Sequence, residues 1–153
     1  MSQPLTNTNI NSFLGHIDGF VGTFPSDIVP IHKKDEPQAF VINTAPDGSS
    51  GEHWTALILT KQKCLYFDSF GEQMNNIILL NSLKRIGVKN YQYNNSVIQP
   101  TWSNSCGCYC IAFILAFVCD NSYTSFLSNF VTNIDENDNR CYRFIQKHFN
   151  KHC

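Results

Sequence analysis

The clearest pattern in the chain is a pair of short apolar runs separated by a polar turn. Residues 53–60 (HWTALILT) and 64–70 (CLYFDSF) flank the segment Lys-Gln-Lys. Two strand-length runs joined by so short a polar connection predict a β-hairpin. Because a hairpin brings the start of its first strand beside the end of its second, we expect His53 and Asp68 to be neighbours.

The remaining segments predict helices and further strands. Apolar residues at helical spacing predict four amphipathic helices, and segment 105–119 is apolar on nearly every side, which is typical of a buried helix. Segments of strand length and segments rich in Gly, Pro and Ser predict strands and loops. The four helices are 7–17, 73–86, 122–131 and 139–149, the strands 38–43 and 90–94, and the loops 19–30 and 45–52. This order predicts one α+β domain over residues 1–153, with a small, mostly antiparallel sheet, a buried central helix and further packed helices.

The composition is that of a folded domain. Of 153 residues, 42% are hydrophobic and 15% are charged, and the net charge is -1. Such a charge balance does not predict tight electrostatic binding to nucleic acid. No apolar run approaches the roughly 20 residues of a membrane helix, and the N-terminus lacks the basic start and apolar core of a signal peptide. We therefore expect an intracellular protein that does not enter a membrane.

The chain contains seven cysteines, an odd number, without a secretory signal. Reduced thiols are therefore expected rather than a disulfide framework. Cys106, Cys108 and Cys110 form a Cys-x-Cys-x-Cys run, which raises the alternative of a metal site. On a helix this spacing directs the three side chains around the axis, and no Cys-x-x-Cys pair accompanies them, so we expect no metal.

Cys106 has the features of an activated thiol. It lies between the polar stretch Trp-Ser-Asn-Ser and the long apolar segment, which places its sulfur at the predicted start of a helix. The helix dipole and the free N–H groups of the first turn stabilise a thiolate there and can also bind an oxyanion. Gly107 lets the chain pack closely at this point, whereas Cys108 and Cys110 lie deeper in the helix.

His53 is the best base for this thiol, because it starts a strand after a Gly/Ser-rich loop and its ring can reach a cleft. Asp68 can accept a hydrogen bond from the ring and fix its tautomer. Gln99, seven residues before Cys106, is a candidate oxyanion donor, and Trp54 either points to the other face or packs over the site. Taken singly, these are more often a solvated histidine, a turn aspartate and a loop glutamine.

In the order His53, Asp68, Gln99, Cys106, these residues resemble the adenovirus-type maturation proteases (adenain-like), whose clan includes the ubiquitin-like-protein proteases. The motifs are HW at His53, YFDSFG around Asp68 and SNSCGCYC around Cys106. The upstream segments FVGTFPSDIVP and AFVINTAPDGSSGEHW are also similar, so the resemblance covers roughly residues 13–118.

The resemblance implies a cysteine endopeptidase. Cys106 would attack the scissile carbonyl, His53 would exchange the proton and Asp68 would orient the ring. Gln99 and the Cys106 N–H would bind the oxyanion, beside Trp54 and Gly107. The substrates would be viral capsid or virion precursor proteins, cut after small residues such as Gly by a monomer inside the host cell (viral factory, cytoplasm or nucleus) that is also packaged in the virion. A small enzyme of this kind suits a virophage or a Polinton/Maverick-like element.

Two departures from the adenoviral pattern affect the expected cofactors. Asp68 stands where the adenoviral enzymes have Glu, as in the ubiquitin-like-protein proteases. Residues 83–99 contain no cysteine, so activation by a disulfide-linked peptide is not supported, and the low positive charge does not support DNA as a cofactor. The sequence therefore requires no cofactor.

Two alternative functions remain open. A deconjugating isopeptidase for SUMO- or ubiquitin-like tails would use the same residues, and Asp68 mildly favours it, although the short chain offers little surface for a folded modifier. A catalytically inactive virion-binding module would retain the fold without turnover.

Overall fold

A computed structural model describes residues 3–49, 52–120 and 122–149. One helix is followed by four strands, a second helix and a fifth strand, and the remaining elements in these ranges are helices. The helices are α1 (Asn7–Leu14), α2 (Ile77–Arg85), α3 (Cys106–Asp120), α4 (Tyr123–Leu127) and α5 (Asn137–Phe149), with a short 3-10 helix at Ile134–Glu136. The strands are β1 (Phe20–Phe24), β2 (Gln38–Asn43), β3 (Trp54–Leu59), β4 (Cys64–Phe67) and β5 (Gln92–Tyr93).

The five strands form one mixed sheet in the order β1-β2-β3-β4-β5. The inner pairings, β2 with β3 and β3 with β4, are antiparallel, whereas the outer pairings, β1 with β2 and β4 with β5, are parallel. The α+β class is confirmed, but only the inner pairings are antiparallel. The reason is that residues 25–37 and helix α2 each carry the chain back along the sheet before the next strand begins.

The predicted hairpin is β3 and β4. Ala56 lies opposite Phe67 and Leu59 lies opposite Cys64. His53 immediately precedes β3 and Asp68 immediately follows β4. The antiparallel register therefore places both residues at the same end of the sheet.

Helices cover both faces of the sheet, which explains why every residue of the central strands β2, β3 and β4 except Trp54 is buried. On one face, Val41 and Ile58 pack in a cluster with α1, α3, α4 and α5. On the other, Phe40 and Leu57 pack in a cluster with α2 and the segment before it. Alternate residues of one strand thus enter different cores.

Helix α3 is the predicted buried central helix, and Cys106 is its first residue. Every residue from Tyr109 to Ala116 is at most 4% exposed. Helix α3 lies between the sheet and α5, so each of its sides packs against another element. This packing explains why the helix is apolar on all sides.

The segment 19–30, predicted as a loop, contains strand β1. Its Gly and Pro residues indicated a turn, but residues Phe20–Phe24 pair with β2. Gly22 adopts φ 144° at an irregularity of the register, a conformation that glycine tolerates. Pairing with a distant strand therefore outweighs the local turn signal.

The helices also differ from prediction at their ends. α1 ends at Leu14, α4 ends at Leu127, and α5 begins at Asn137. α2 begins at Ile77 because the Asn76 side chain accepts a hydrogen bond from the N–H of Leu79 at 3.1 Å and caps the helix.

Five cysteines are free thiols: Cys64, Cys106, Cys108, Cys110 and Cys141. Cys119 is disulfide-bonded, so the expectation of reduced thiols is wrong there, because disulfide pairing depends on proximity that an odd count does not reveal. Within residues 3–49, 52–120 and 122–149, no group of three His, Cys, Asp or Glu is arranged to hold a metal ion. In the same ranges, no helix has the length and apolar character needed to cross a membrane.

Candidate active site

His53 and Asp68 form the first contact of the site. The Nε2 atom of His53 lies 2.7 Å from Oδ1 of Asp68. The same carboxylate oxygen accepts the backbone N–H of Phe70 at 2.9 Å. Asp68 is only 5% exposed, so it holds the ring from a fixed and largely dry position.

Asn94 fixes the backbone of Asp68. The Asp68 N–H donates to Oδ1 of Asn94 at 3.1 Å, and Nδ2 of Asn94 donates to the Asp68 carbonyl at 2.6 Å. The last paired residues of β4 and β5 are Tyr66 and Tyr93. The Asn94 side chain thus continues the pairing of these strands to the residue that contacts His53.

Phe70 packs against the imidazole. The two ring centroids lie 4.8 Å apart and the ring planes are 26° from parallel, which is a stacked contact. Phe70 follows Asp68 by two residues, so one short turn supplies both the hydrogen-bond acceptor of His53 and an apolar surface for its ring. Together they restrict rotation of the imidazole.

Cys106 lies at the start of α3 and is 8% exposed. Its ionisation responds to hydrogen bonding with the His53 ring and with the backbone at Trp54 and Gly107. Burial raises the pKa of Cys106, but these hydrogen bonds and the charge of His53 outweigh burial, so its pKa lies below the ordinary 9.0. By contrast, burial raises the pKa of Cys108 to about 12. The thiolate is therefore favoured at Cys106.

The pKa of His53 responds to the same contacts. Burial lowers it, but the hydrogen bonds to Asp68 and Cys106, followed by their charges, raise it from 6.5 to about 9. Because Nε2 faces Asp68, Nδ1 is the ring nitrogen available to the sulfur. Both shifts therefore favour a thiolate beside an imidazolium.

Gln99 is buried in the loop before Cys106. Its Nε2 donates to the Ser103 carbonyl at 2.9 Å, and its Oε1 accepts from the Ser69 hydroxyl. These bonds join the nucleophile loop to the turn after β4. They direct the amide towards Ser103 rather than the thiol, so the oxyanion role of Gln99 stays a prediction.

Trp54 packs beside the sulfur. Its indole N–H donates to the Leu5 carbonyl at 2.9 Å, and Trp54 and Cys106 both line a groove of about 480 Å³. Of the two orientations expected for Trp54, the structure has the one at the site. The groove's other walls include residues 4–7, 23–25 and 43–49.

Gly107 has no room for a side chain. A Cβ atom there would lie 3.1 Å from Cβ of Leu5 and 3.4 Å from Cδ1 of Ile10. The close approach predicted from the sequence is therefore made by the N-terminal segment, which packs directly against the first turn of α3.

Sequence reasoning missed the side chains that support the site. Asn94 lies in a predicted edge strand, and Asn137 and Asp138 lie near the start of α5, where they resemble ordinary polar residues. All three are buried. No local pattern identifies them, because their partners are far away in the sequence.

Cysteine-nucleophile hydrolases have a cysteine at a helix N-terminus, a histidine beside its sulfur and a carboxylate on the other nitrogen of the histidine ring. Cys106, His53 and Asp68 have this arrangement. The comparison with known families agrees with this class. Residues 20–149 match the family model described as adenovirus endoprotease. The chain belongs to this family.

Known relatives are viral proteases. The protease of ovine adenovirus D serotype 7 (isolate OAV287) is 32% identical over 123 residues, which cover 71% of this chain and 61% of that protein. The protease of snake adenovirus serotype 1 is 29% identical over 110 residues, which cover 63% of this chain and 55% of that protein. The chain therefore spans little more than half of the length of these relatives.

A solved structure has the same fold. The crystal structure of the ASFV pS273R protease matches with a TM-score of 0.59 and 22% identity, covering 95% of this chain and 67% of that one. The likeness extends over nearly all of the present chain, so the mixed sheet and its helices form a recurrent architecture.

Proposed function

We propose that this chain is a cysteine endopeptidase that cleaves viral capsid or virion precursor proteins after small residues such as Gly. The observation that carries the proposal is the hydrogen-bonded series Cys106, His53, Asp68 at the edge of an open groove. Membership of the adenovirus endoprotease family supports the same activity.

Cys106 is the nucleophile in this proposal. Its thiolate attacks the scissile carbonyl carbon, a carbon–sulfur bond forms, and the carbonyl oxygen becomes an oxyanion. The Cys106 N–H and the Gln99 amide are the proposed oxyanion donors. The His53 imidazolium then gives its proton to the leaving amine as the carbon–nitrogen bond breaks.

The same residues complete the reaction. Water attacks the thioester while His53 takes its proton, and the carbon–sulfur bond breaks to restore the thiolate. Asp68 keeps Nδ1 of His53 directed at the sulfur throughout. Trp54 lines the groove beside Cys106, and a restriction by its indole on the side chains that fit there is the proposed basis of a preference for Gly.

A matched pair of cysteine variants tests the proposal. Cys106→Ala should abolish cleavage of a peptide with a Gly-Gly or Gly-x-Gly junction, because it removes the thiol that interacts with His53. Cys108→Ala, two residues along the same helix, should retain near wild-type cleavage. Mass spectrometry of the products measures both, and cleavage retained by Cys106→Ala would refute the assignment.

Two further reagents separate the alternatives. A ubiquitin-like modifier with a C-terminal electrophile that labels Cys106 faster than a short Gly-Gly peptide electrophile would favour a deconjugating isopeptidase. Equal alkylation of all accessible thiols, with no selectivity for Cys106, would favour an inactive virion-binding module. The lowered pKa of Cys106 argues against the second alternative.

The proposed setting follows from the family resemblance. The enzyme acts as a monomer without a metal or other cofactor, on viral precursors inside the host cell, and is packaged in the virion. A virophage or a Polinton/Maverick-like element is the proposed source. Activity of the purified chain without added peptide or DNA tests independence from activators.

A further inference from the structure

The loop that leads to Cys106 is held by one buried carboxylate. Asp138 is 8% exposed. Its Oδ2 accepts the hydroxyl of Ser103 at 2.7 Å and the hydroxyl of Ser105 at 3.1 Å, and its Oδ1 accepts the hydroxyl of Tyr109 at 2.8 Å. Three hydroxyl donors on both sides of Cys106 thus converge on a residue about 30 positions later.

The contact reaches the backbone next to the sulfur. The Ser105 N–H donates to the Ser103 hydroxyl oxygen at 3.1 Å, and that hydroxyl donates to Asp138. The Ser103 carbonyl in turn accepts the Gln99 amide at 2.9 Å. The Gln99 amide donates to Ser103, and the Cys106 N–H follows Ser105 in the chain. Asp138 accepts the hydroxyls of both serines, so one residue separates it from each proposed oxyanion donor.

Asn137 holds the other end of the same loop. Its Nδ2 donates to the Ile98 carbonyl at 2.9 Å and to the Val131 carbonyl at 3.0 Å, and its Oδ1 accepts the Val131 N–H at 2.9 Å. Two consecutive residues at the start of α5 therefore clamp the loop from residue 98 to residue 105.

The chemistry of this contact requires an acceptor. An ionised carboxylate accepts at both oxygens and donates at neither, which matches three converging hydroxyls. Within the described residues, Asp138 forms no ion pair. A buried charge is costly without hydrogen bonds, so the three hydroxyls stabilise the carboxylate while it orders them. An amide of the same shape would present N–H groups to one side and disturb that order.

We propose that Asp138 is a positioning residue that holds the loop 98–105 in the geometry needed to bind the oxyanion. The inference rests on the proposed protease activity and deepens it. Asp138 does not touch the reacting atoms. It acts through Ser103 and Ser105 on the Cys106 N–H and on the loop that carries Gln99. The hairpin, and not Asp138, positions His53 against Cys106.

The test compares Asp138→Asn with Asp18→Asn, the same substitution at an exposed position outside the loop 98–105. For Asp138→Asn we expect kcat for a Gly-containing peptide to fall about 10- to 100-fold with KM nearly unchanged, as for misplacement of catalytic groups. The rate of Cys106 alkylation by iodoacetamide should stay within about twofold, because alkylation needs the thiolate but no oxyanion site. Asp18→Asn should change neither.

Two outcomes would overturn the proposal. Unchanged kcat in Asp138→Asn would show that the carboxylate does not affect the reaction. Equal losses of hydrolysis and alkylation, together with a lower melting temperature, would show general disruption instead of positioning. Asp138→Glu, which keeps the acceptor-only group, should recover more activity than Asp138→Asn.

A peptide aldehyde ending in glycinal keeps the test independent of turnover. The Cys106 sulfur bonds to the aldehyde carbon as the carbonyl π bond opens, and the oxygen takes the negative charge or a proton, so affinity reports the oxyanion site. If the wild type cleaves no peptide, the proposed endopeptidase fails. Asp138 is then judged on aldehyde affinity alone, which should weaken about 10-fold or more in Asp138→Asn; equal affinity would refute its role.

Discussion

The two sides of the site are held by different kinds of hydrogen bond. The side that carries His53 and Asp68 continues a β-hairpin, whose backbone ladder fixes the distance between them. The side that carries Cys106 begins with an irregular loop, fixed by the side chains of Asn137 and Asp138.

The difference shows how each side responds to mutation. Backbone bonds survive most substitutions, so the hairpin side depends mainly on the two residues that perform the chemistry and on Asn94 and Phe70, which contact them. Side-chain bonds disappear with the side chain, so the loop side also depends on residues that never meet the substrate. The following variants test this contrast.

His53→Ala should have the largest effect on the hairpin side. We expect kcat/KM to fall about 10⁵-fold, since removal of a catalytic base leaves only the contributions of binding and the oxyanion site. Cleavage of a Gly-containing peptide measures the loss. Circular dichroism should show an unchanged fold, because His53 lies outside the paired residues; a loss below 10-fold would contradict its role.

Asp68→Asn should lower kcat about 10³- to 10⁴-fold and change its pH dependence. In the wild type, activity should rise with pH as Cys106 ionises and fall as the imidazolium deprotonates near the His53 pKa of about 9. The hydrogen bond to Asp68 is the largest contribution that raises this pKa, so the alkaline limb of the variant should lie at lower pH.

The same shift affects stability. Because the pKa of His53 rises from 6.5 to about 9 on folding, its contribution is complete below pH 6.5 and is lost as the pH rises through 9. Urea unfolding of the wild type and Asp68→Asn across this range should therefore converge at alkaline pH; a constant difference would contradict the linkage.

Asn137→Ala tests the loop side. It removes the partners of the Ile98 and Val131 carbonyls and of the Val131 N–H. We expect the free energy of unfolding to fall by about 1–3 kcal/mol per buried group left unpaired, with a lower kcat. Asn139→Ala, two residues later and exposed, should stay within about 0.5 kcal/mol. If urea unfolding showed equal losses of stability for Asn137→Ala and Asn139→Ala, the hydrogen bonds of Asn137 would not be the cause.

Phe70→Leu should have the smallest effect. It keeps an apolar group on His53 but loses the stacked ring, a contact of about 0.5–1.5 kcal/mol. We expect kcat/KM to fall about 2- to 10-fold. A loss of activity as large as that of Asp68→Asn would show that Phe70 does more than pack against the His53 ring.

Part of this site could be predicted from local patterns. The alternating runs on either side of Lys-Gln-Lys predict a hairpin, and a hairpin alone places His53 near Asp68. The polar stretch before an apolar segment predicts a helix start at Cys106. These features could be predicted because each depends on neighbours within one or two elements.

Other parts could not be predicted in this way. β1 forms because a distant strand pairs with it, and the outer pairings are parallel because the chain crosses over between strands. The Gln99 amide, whose oxyanion role stays a prediction, donates to the Ser103 carbonyl. Each outcome depends on packing between distant segments, which the local spacing of apolar residues does not reveal.

The sequence by itself determined the family, the α+β class and the identities of His53, Asp68 and Cys106, because short-range periodicity and ordered motifs carry that information. Only the tertiary structure decided how the nucleophile loop is held. Asp138 lies 35 residues from Ser103, and its role arises because α5 folds back beside the start of α3. A buried carboxylate cannot be distinguished from an exposed one until the chain around it is in place.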